Sequence, residues 1–241
     1  MYSKTDIRMR HSLLKTLLPA LAALALAACA SDQPVPAVVQ PTQTGTYTDT
    51  RDGHTYAWAQ FGTQQWMTEN ARHDLRDVAL CTIYQPADDH AEGTNTTHLP
   101  KYGRLYTYEG ALAACPEGWR LPTDADWQQL EQTLGMTTGE AAARGWRGSI
   151  AANLLSMYGV HRPLNLLLGG FYDSYLNMGV SRWRMMGTLG FYWTATPDDT
   201  KTTLGHYYYY RKLAYNKKQV YRESMESAGN MLSVRYVRDA Q

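Results

Sequence analysis

Between Cys115 and Trp127 the chain reads C-P-E-G-W-R-L-P-T-D-A-D-W, and this block restricts the possible folds more than any other stretch. Pro116 and Pro122 fix the backbone direction on either side of Gly118 and each removes an amide donor, so the chain must turn a corner here. Thr123 with Asp126 three residues on is an N-cap with an acidic N3 position. Trp127, Leu130 and Leu134 then recur at helical spacing until Gly135. Upstream, Leu105, Tyr108, Leu112 and Cys115 also fall on one helical face. The block therefore predicts a corner between two helices, with Trp119 and Trp127 as large core residues. It holds no nucleophile beside a base, so it marks a scaffold and not a reaction.

Strand signals lie on both sides of this centre. Thr46 to Thr50, His54 to Gln60 and Thr63 to Thr68 are short runs rich in Thr, Tyr and Trp, punctuated by Asp52-Gly53 and Phe61-Gly62, as in a meander of three strands. A third helix is expected around Ser149 to Tyr158. Strands return at Leu166 to Tyr172, Gly190 to Thr194, His206 to Ala214 and Met231 to Val237. The pattern predicts an α+β domain in which short antiparallel strands from both termini enclose two or three helices.

The N-terminus reads as an address. Lys4, Arg8, Arg10 and Lys15 precede the apolar run Leu17 to Ala28, which is short for a bilayer span and has the composition of a secretory signal, with Met1 or Met9 as its start. It ends Leu26-Ala27-Ala28-Cys29, which resembles the bacterial lipobox; a plain secretory signal is the alternative. Lipidation at Cys29 predicts a membrane anchor, because each buried methylene adds about 0.8 kcal/mol. Residues 1–29 are thus a lipoprotein signal and 30–45, with Pro34, Pro36 and Pro41, an extended tether. Residues 46–241 form one domain. The expected location is the outer membrane, facing the periplasm or the cell surface.

Charge excludes one class of partner. The whole chain carries a formal +1, and removal of residues 1–29 takes away four Lys/Arg and one Asp, leaving −2. A near-neutral domain is a poor general binder of nucleic acid. The last segment, Lys201 to Gln241, is nevertheless basic, with eight Lys/Arg against three Asp/Glu.

With Cys29 assigned to lipid, Cys81 and Cys115 remain in an exported chain, where a disulfide is expected. It would close a loop of about 35 residues and stabilise by roughly 4 kcal/mol on the chain-entropy account. Two free buried thiols are the alternative.

Six blocks in order carry a resemblance: Asp49-x-Arg51-Asp52-Gly53-x-x-Tyr56; Gly62-x-Gln64-x-Trp66-Met67-x-Glu69-Asn70; Tyr102-Gly103-Arg104-Leu105-Tyr106; the Cys115 to Trp127 block; Gly190-Phe191-Tyr192-Trp193-Thr194; and Ser233-Val234-Arg235-Tyr236-Val237-Arg238-Asp239. Together they resemble the FISUMP family, the major paralogous domain of Bacteroidetes- and Fibrobacter-type lipoproteins. The resemblance implies a C-type lectin-like fold, also used by formylglycine-generating enzymes. Asp126 stands where the family usually has Glu, Ala71 where it has Leu, and Tyr236 where Cys is frequent. The last substitution leaves a Cys81 to Cys115 bridge as a local alternative to the family's usual pairing.

Trp66, Trp119, Trp127 and Trp193 read as core, and Glu69 with Arg235 as a buried pair joining the terminal strands or as two solvated charges. Catalytic chemistry is not evident. The histidines form no metal-ligand spacing, Asp88-Asp89-His90 reads as a solvated acidic turn, and no third cysteine of the mature chain is left for formylglycine-type chemistry. The sequence therefore predicts no enzyme, no cofactor and no metal.

The tyrosine-rich tail carries the functional expectation. Tyr208, Tyr210, Arg211, Tyr215, Asn216, Tyr221 and Arg222 are candidates to bind a glycan or protein ligand, since Tyr and Arg are favoured at binding hot spots. Strand alternation should bury about half of the tyrosines. The alternatives are a fimbria-like adhesin or assembly component that uses these strands for subunit contacts, and a receptor diversified by a retroelement, as C-type lectin-like proteins can be.

Overall fold

The computed structural model describes residues 37–85, 94–157, 160–174, 182–201 and 204–241. Cys29, the signal run and Asp88-Asp89-His90 lie outside them. The Thr/Tyr/Trp-rich runs form the expected meander: β1 (Gln43–Thr48), β2 (Thr55–Phe61) and β3 (Gln64–Met67). β1 starts ahead of the expected boundary at Thr46. Val39 already packs on the core and donates its N–H to Asn153 Oδ1 at 2.9 Å, so the end of the expected tether belongs to the folded unit. The C-terminal strand β12 (Val237–Asp239) pairs antiparallel with β3, Val237 opposite Trp66, which gives a sheet in the order β1-β2-β3-β12. First and last strands thus share one sheet, as the sequence implied.

The central elements differ in detail from the expectation. After α1 (Thr94–Tyr102), Leu105 and Tyr106 form β5, paired with β4 (Cys81–Thr82), instead of opening a helix. α2 (Tyr108–Ala113) begins only where Thr107 caps it by accepting the Gly110 N–H at 3.0 Å. α3 (Asp124–Thr133) starts as read, with a complete capping box: Thr123 Oγ1 accepts the Asp126 N–H and Asp126 Oδ2 accepts the Thr123 N–H. Asp126 thus serves in place of Glu, and it also binds Arg120. α4 (Thr138–Ala142) was not expected, although Thr137 and Glu140 form a second capping box. α5 (Ala151–Leu154) is shorter than the expected third helix, because Leu166 bridges to the extended segment that ends it, donating its N–H to the Leu154 carbonyl and accepting from the Ser156 N–H.

The larger sheet runs β6 (Gly145–Arg147), β11 (Val220–Glu226), β10 (Tyr207–Ala214), β9 (Leu189–Pro197), β7 (Gly169–Tyr172), β8 (Trp183–Met186). β7 meets β9 in parallel register at Gly170 opposite Gly190. A Cβ at Gly190 would stand 2.3 Å from the Leu167 carbonyl oxygen, and one at Gly170, where φ is +68°, 2.2 Å from that of Arg184. Only glycine fits either position. Met231 to Val237 is not one strand: Met231, Leu232 and Ser233 bridge singly to Tyr172, Tyr106 and Tyr192 before β12 begins.

The class is α+β with strands predominating. Trp66, Trp127 and Trp193 are fully buried and Trp119 nearly so, and these side chains dominate two packed clusters. Trp66 donates to Gln64 Oε1 at 3.1 Å and Trp193 to the Tyr106 carbonyl at 2.8 Å. The indole N–H groups of Trp119 and Trp127 have no acceptor among the described residues.

Candidate functional site

β10 and β11 carry most of the tyrosine-rich tail, and strand alternation divides its residues between the two faces of the larger sheet. On one face a cross-strand row runs Trp146 on β6, Tyr221 on β11, Lys212 on β10 and Phe191 on β9, each opposite the next. Lys212 Nζ stands 3.9 Å from the centre of the Tyr221 ring, 5.4 Å from that of Trp146 and 5.9 Å from that of Phe191. These distances are within cation–π range. Phe191 is buried, whereas Trp146, Tyr221 and Lys212 are half-buried. Burial lowers the proton affinity of Lys212, and no carboxylate pairs with it among the described residues. Tyr210, in the next row, is buried between Phe191 and Tyr221, and burial raises its phenol strongly. Tyr208 stacks on Tyr108 with ring centres 3.5 Å apart. Burial, with Tyr208 adding to it, pushes the Tyr108 phenol up to about 12.

The opposite face ties these strands to α3 through buried ion pairs. Arg211 is fully buried and donates to Asp124 Oδ1 and Glu131 Oε1, both at 2.7 Å. Arg222 binds Asp124 Oδ2 and Arg147 binds Glu131 Oε2, again at 2.7 Å each. Three guanidinium groups thus meet two carboxylates of α3. The carbonyls of Ala141 and Ala142 at the end of α4 accept from Arg147 and Arg222 and offset the remaining positive charge. Burial alone would raise the Asp124 carboxyl, but its bonds to Arg222 and Arg211 outweigh that and hold it at about 2. Burial brings Arg147 down to about 10 against the pull of Glu131. Further out, Tyr209 lies between Arg222 and Arg144, whose guanidinium carbons are 4.3 and 4.9 Å from its ring centre. Arg144 in turn binds Asp198 and Glu223.

The tail expectation is therefore corrected residue by residue. Arg211 and Arg222 are interior ion-pair partners and Tyr210 is a core residue, because each points into a packed layer. Tyr208 and Tyr221 are half-buried on the aromatic face. Tyr215, half exposed, and Asn216 sit in the β10–β11 turn. Trp146 and Lys212 were missed. Lys212 was legible from its alternation with Tyr208 and Tyr210, whereas Trp146 reaches the row only through the pairing of β6 with β11.

Other expected pairings also change. Cys81 and Cys115 are free thiols, so the expected bridge is not formed. Each sulfur is satisfied locally: Cys115 Sγ lies 3.2 Å from the Trp119 carbonyl within the Pro116 corner, and Cys81 is buried on β4 facing Asp74. Burial pushes the Cys115 thiol up to about 11 and raises that of Cys81. Arg235 is fully buried, but its guanidinium is held by Asn70 Oδ1 and the carbonyls of Met67, Leu164 and Asn165 and not by Glu69. Glu69 instead accepts from the Ala57 N–H and faces His54. Arg72 can only donate, so His54 Nδ1 accepts from it at 3.3 Å and Nε2 donates to Glu69.

Asp49, Asp52 and His73 converge, yet Arg51 occupies both oxygens of Asp49 and His73 faces Asp52 at 3.1 Å. That corner is closed by its own groups. A cleft of about 520 Å³ opens elsewhere, between Glu69 to Arg72, the end of α1 and the segment around Ser156 to Leu168.

Fold and surface together define a class: an α+β domain, largely of strands, with a partly exposed aromatic sheet face backed by a buried arginine–carboxylate network. The family model of the Fibrobacter succinogenes major domain matches residues 59–238, and the chain belongs to that family. No curated protein and no solved structure gives a significant match.

Proposed function

We propose that this chain is an outer-membrane lipoprotein, anchored through Cys29, whose C-type lectin-like domain is a non-enzymatic binding module for a glycan or protein ligand. One observation carries the reading: Trp146, Tyr221 and Lys212 stand side by side, each partly exposed, on a sheet face whose back is locked by buried ion pairs. Aromatic rings at an accessible face stack on sugar rings or on partner side chains, and the half-buried ammonium adds an orienting cation. A backbone fixed from behind loses little freedom when a ligand lands, which favours recognition.

The same geometry argues against wholesale diversification of the tail. Random codons at Arg211 or Arg222 would remove one of the two guanidinium partners of buried Asp124, and at Arg211 one of the two of Glu131 as well.

A glycan array probed with the purified protein tests the proposal, with analytical ultracentrifugation alongside. Saturable binding to one glycan class by a monomer supports a lectin. Self-association that rises with concentration, without glycan binding, would replace it with the assembly-component reading.

A further inference from the structure

The 520 Å³ cleft lies within the size range of small-molecule sites, which is larger than a simple inorganic ion requires. Its walls combine charge with apolar surface. Arg72 and Lys101 line it as cations, Glu69 as a carboxylate, and Tyr102, Met157 and Leu167 as the apolar part. The charges do not cancel. Glu69 is engaged by His54 and the Ala57 N–H, while Lys101 is exposed and has no carboxylate partner among the described residues. Arg72 donates to the Pro100 carbonyl at 2.8 Å and to His54, but its Nε–H is buried with no acceptor among the described residues.

Beneath the floor lies a third cation. Arg235 is wholly buried and bound only by neutral acceptors, two of which, Asn70 and Asn165, belong to residues that line the cleft. Asn165 adopts φ of +52°, and its carbonyl binds Arg235. A buried charge with no counter-ion is poorly screened, so its field reaches the cleft and adds to that of Arg72 and Lys101. Three cations against one engaged carboxylate make this concavity electropositive.

We propose that this cleft is a binding site for a small carboxylated ring compound, of the size of a uronic acid, with Lys101 and Arg72 receiving the carboxylate and Tyr102 and Leu167 packing on the ring. It shares no residue with the aromatic face, so it stands or falls separately from the function proposed above.

The test is a backbone-amide NMR titration of the purified full chain with D-glucuronate, D-glucose and inorganic phosphate in turn. Glucuronate should give saturable shifts at Tyr102, Gly103, Leu167 and Gly187, and glucose at equal concentration should give none there. Lys101→Gln, an exposed change that spares the fold, should weaken glucuronate binding at least tenfold, as should Arg72→Gln if that variant folds. The proposal is overturned if glucuronate leaves these amides unmoved, or if glucose moves them as far. Shifts that phosphate reproduces at the same half-saturation would overturn the ring-acid assignment, and an unaltered affinity in Lys101→Gln would overturn the role of the cation.

Discussion

Lys212 Nζ lies 3.9 Å from the centre of the Tyr221 ring, directly across the β10–β11 ladder. Its chain neighbour Arg211 points the other way, into the bond pair with Asp124 and Glu131. Adjacent residues of one strand therefore do unlike work, and this separates them experimentally. Arg211→Ala should destabilise the domain by ~3 kcal/mol, because it removes charge-assisted hydrogen bonds to two buried carboxylates and leaves each with a single arginine. Lys212→Ala should cost no more than ~1 kcal/mol, the size of a partly exposed cation–π contact. Urea denaturation of both variants checks the contrast; equal losses would refute the division of faces.

Acid should expose the same network. The Asp124 carboxyl is depressed in the folded state from an ordinary value of 3.8 to about 2, so its contribution to stability is complete above about pH 4 and is lost as pH falls through about 2. The loss should be on the order of 2 kcal/mol. Stability measured from pH 5 to pH 2 should fall in the wild type and be flatter in Asp124→Asn, already weaker at pH 5. Parallel curves for the two proteins would assign the acid response to other groups.

The thiols give a covalent test. Because burial raises both, and Cys115 to about 11, neither should react quickly with iodoacetamide at pH 7.5 in the folded protein. Denaturation without reductant should then label both peptides. A linked Cys81–Cys115 peptide in that digest would contradict the free-thiol arrangement.

Membrane attachment has its own readout. Cys29→Ser should abolish metabolic labelling with palmitate and release or mislocalise the protein. Labelling that persists in the variant would remove the lipid anchor from the account.

Much of this was legible in the sequence where the signal is local. The Thr123–Asp126 cap, the meander punctuated at Asp52-Gly53 and the tryptophan core follow from near neighbours and were readable. What failed depends on distant partners. The sequence left Arg235 and Glu69 either a buried pair or two solvated charges; neither holds for Arg235, which is buried on the carbonyls of Leu164 and Asn165, and no periodicity announces a carbonyl. Arg211 and Arg222 looked like surface hot spots, yet Asp124 and Glu131 of α3 bury them, and the sequence does not show which sheet face the helix covers. Trp146 entered the aromatic row through the pairing of a three-residue strand too short to stand out.

The most direct measurement is a titration of the strongest glycan-array hit, or of a captured protein partner, against wild type, Trp146→Ala, Tyr221→Ala and a control change at exposed Leu112, each first shown to be folded. The account predicts that the Trp146 and Tyr221 variants each lose ~1–3 kcal/mol of binding while the Leu112 variant binds as wild type. Undiminished binding in both aromatic variants would contradict it.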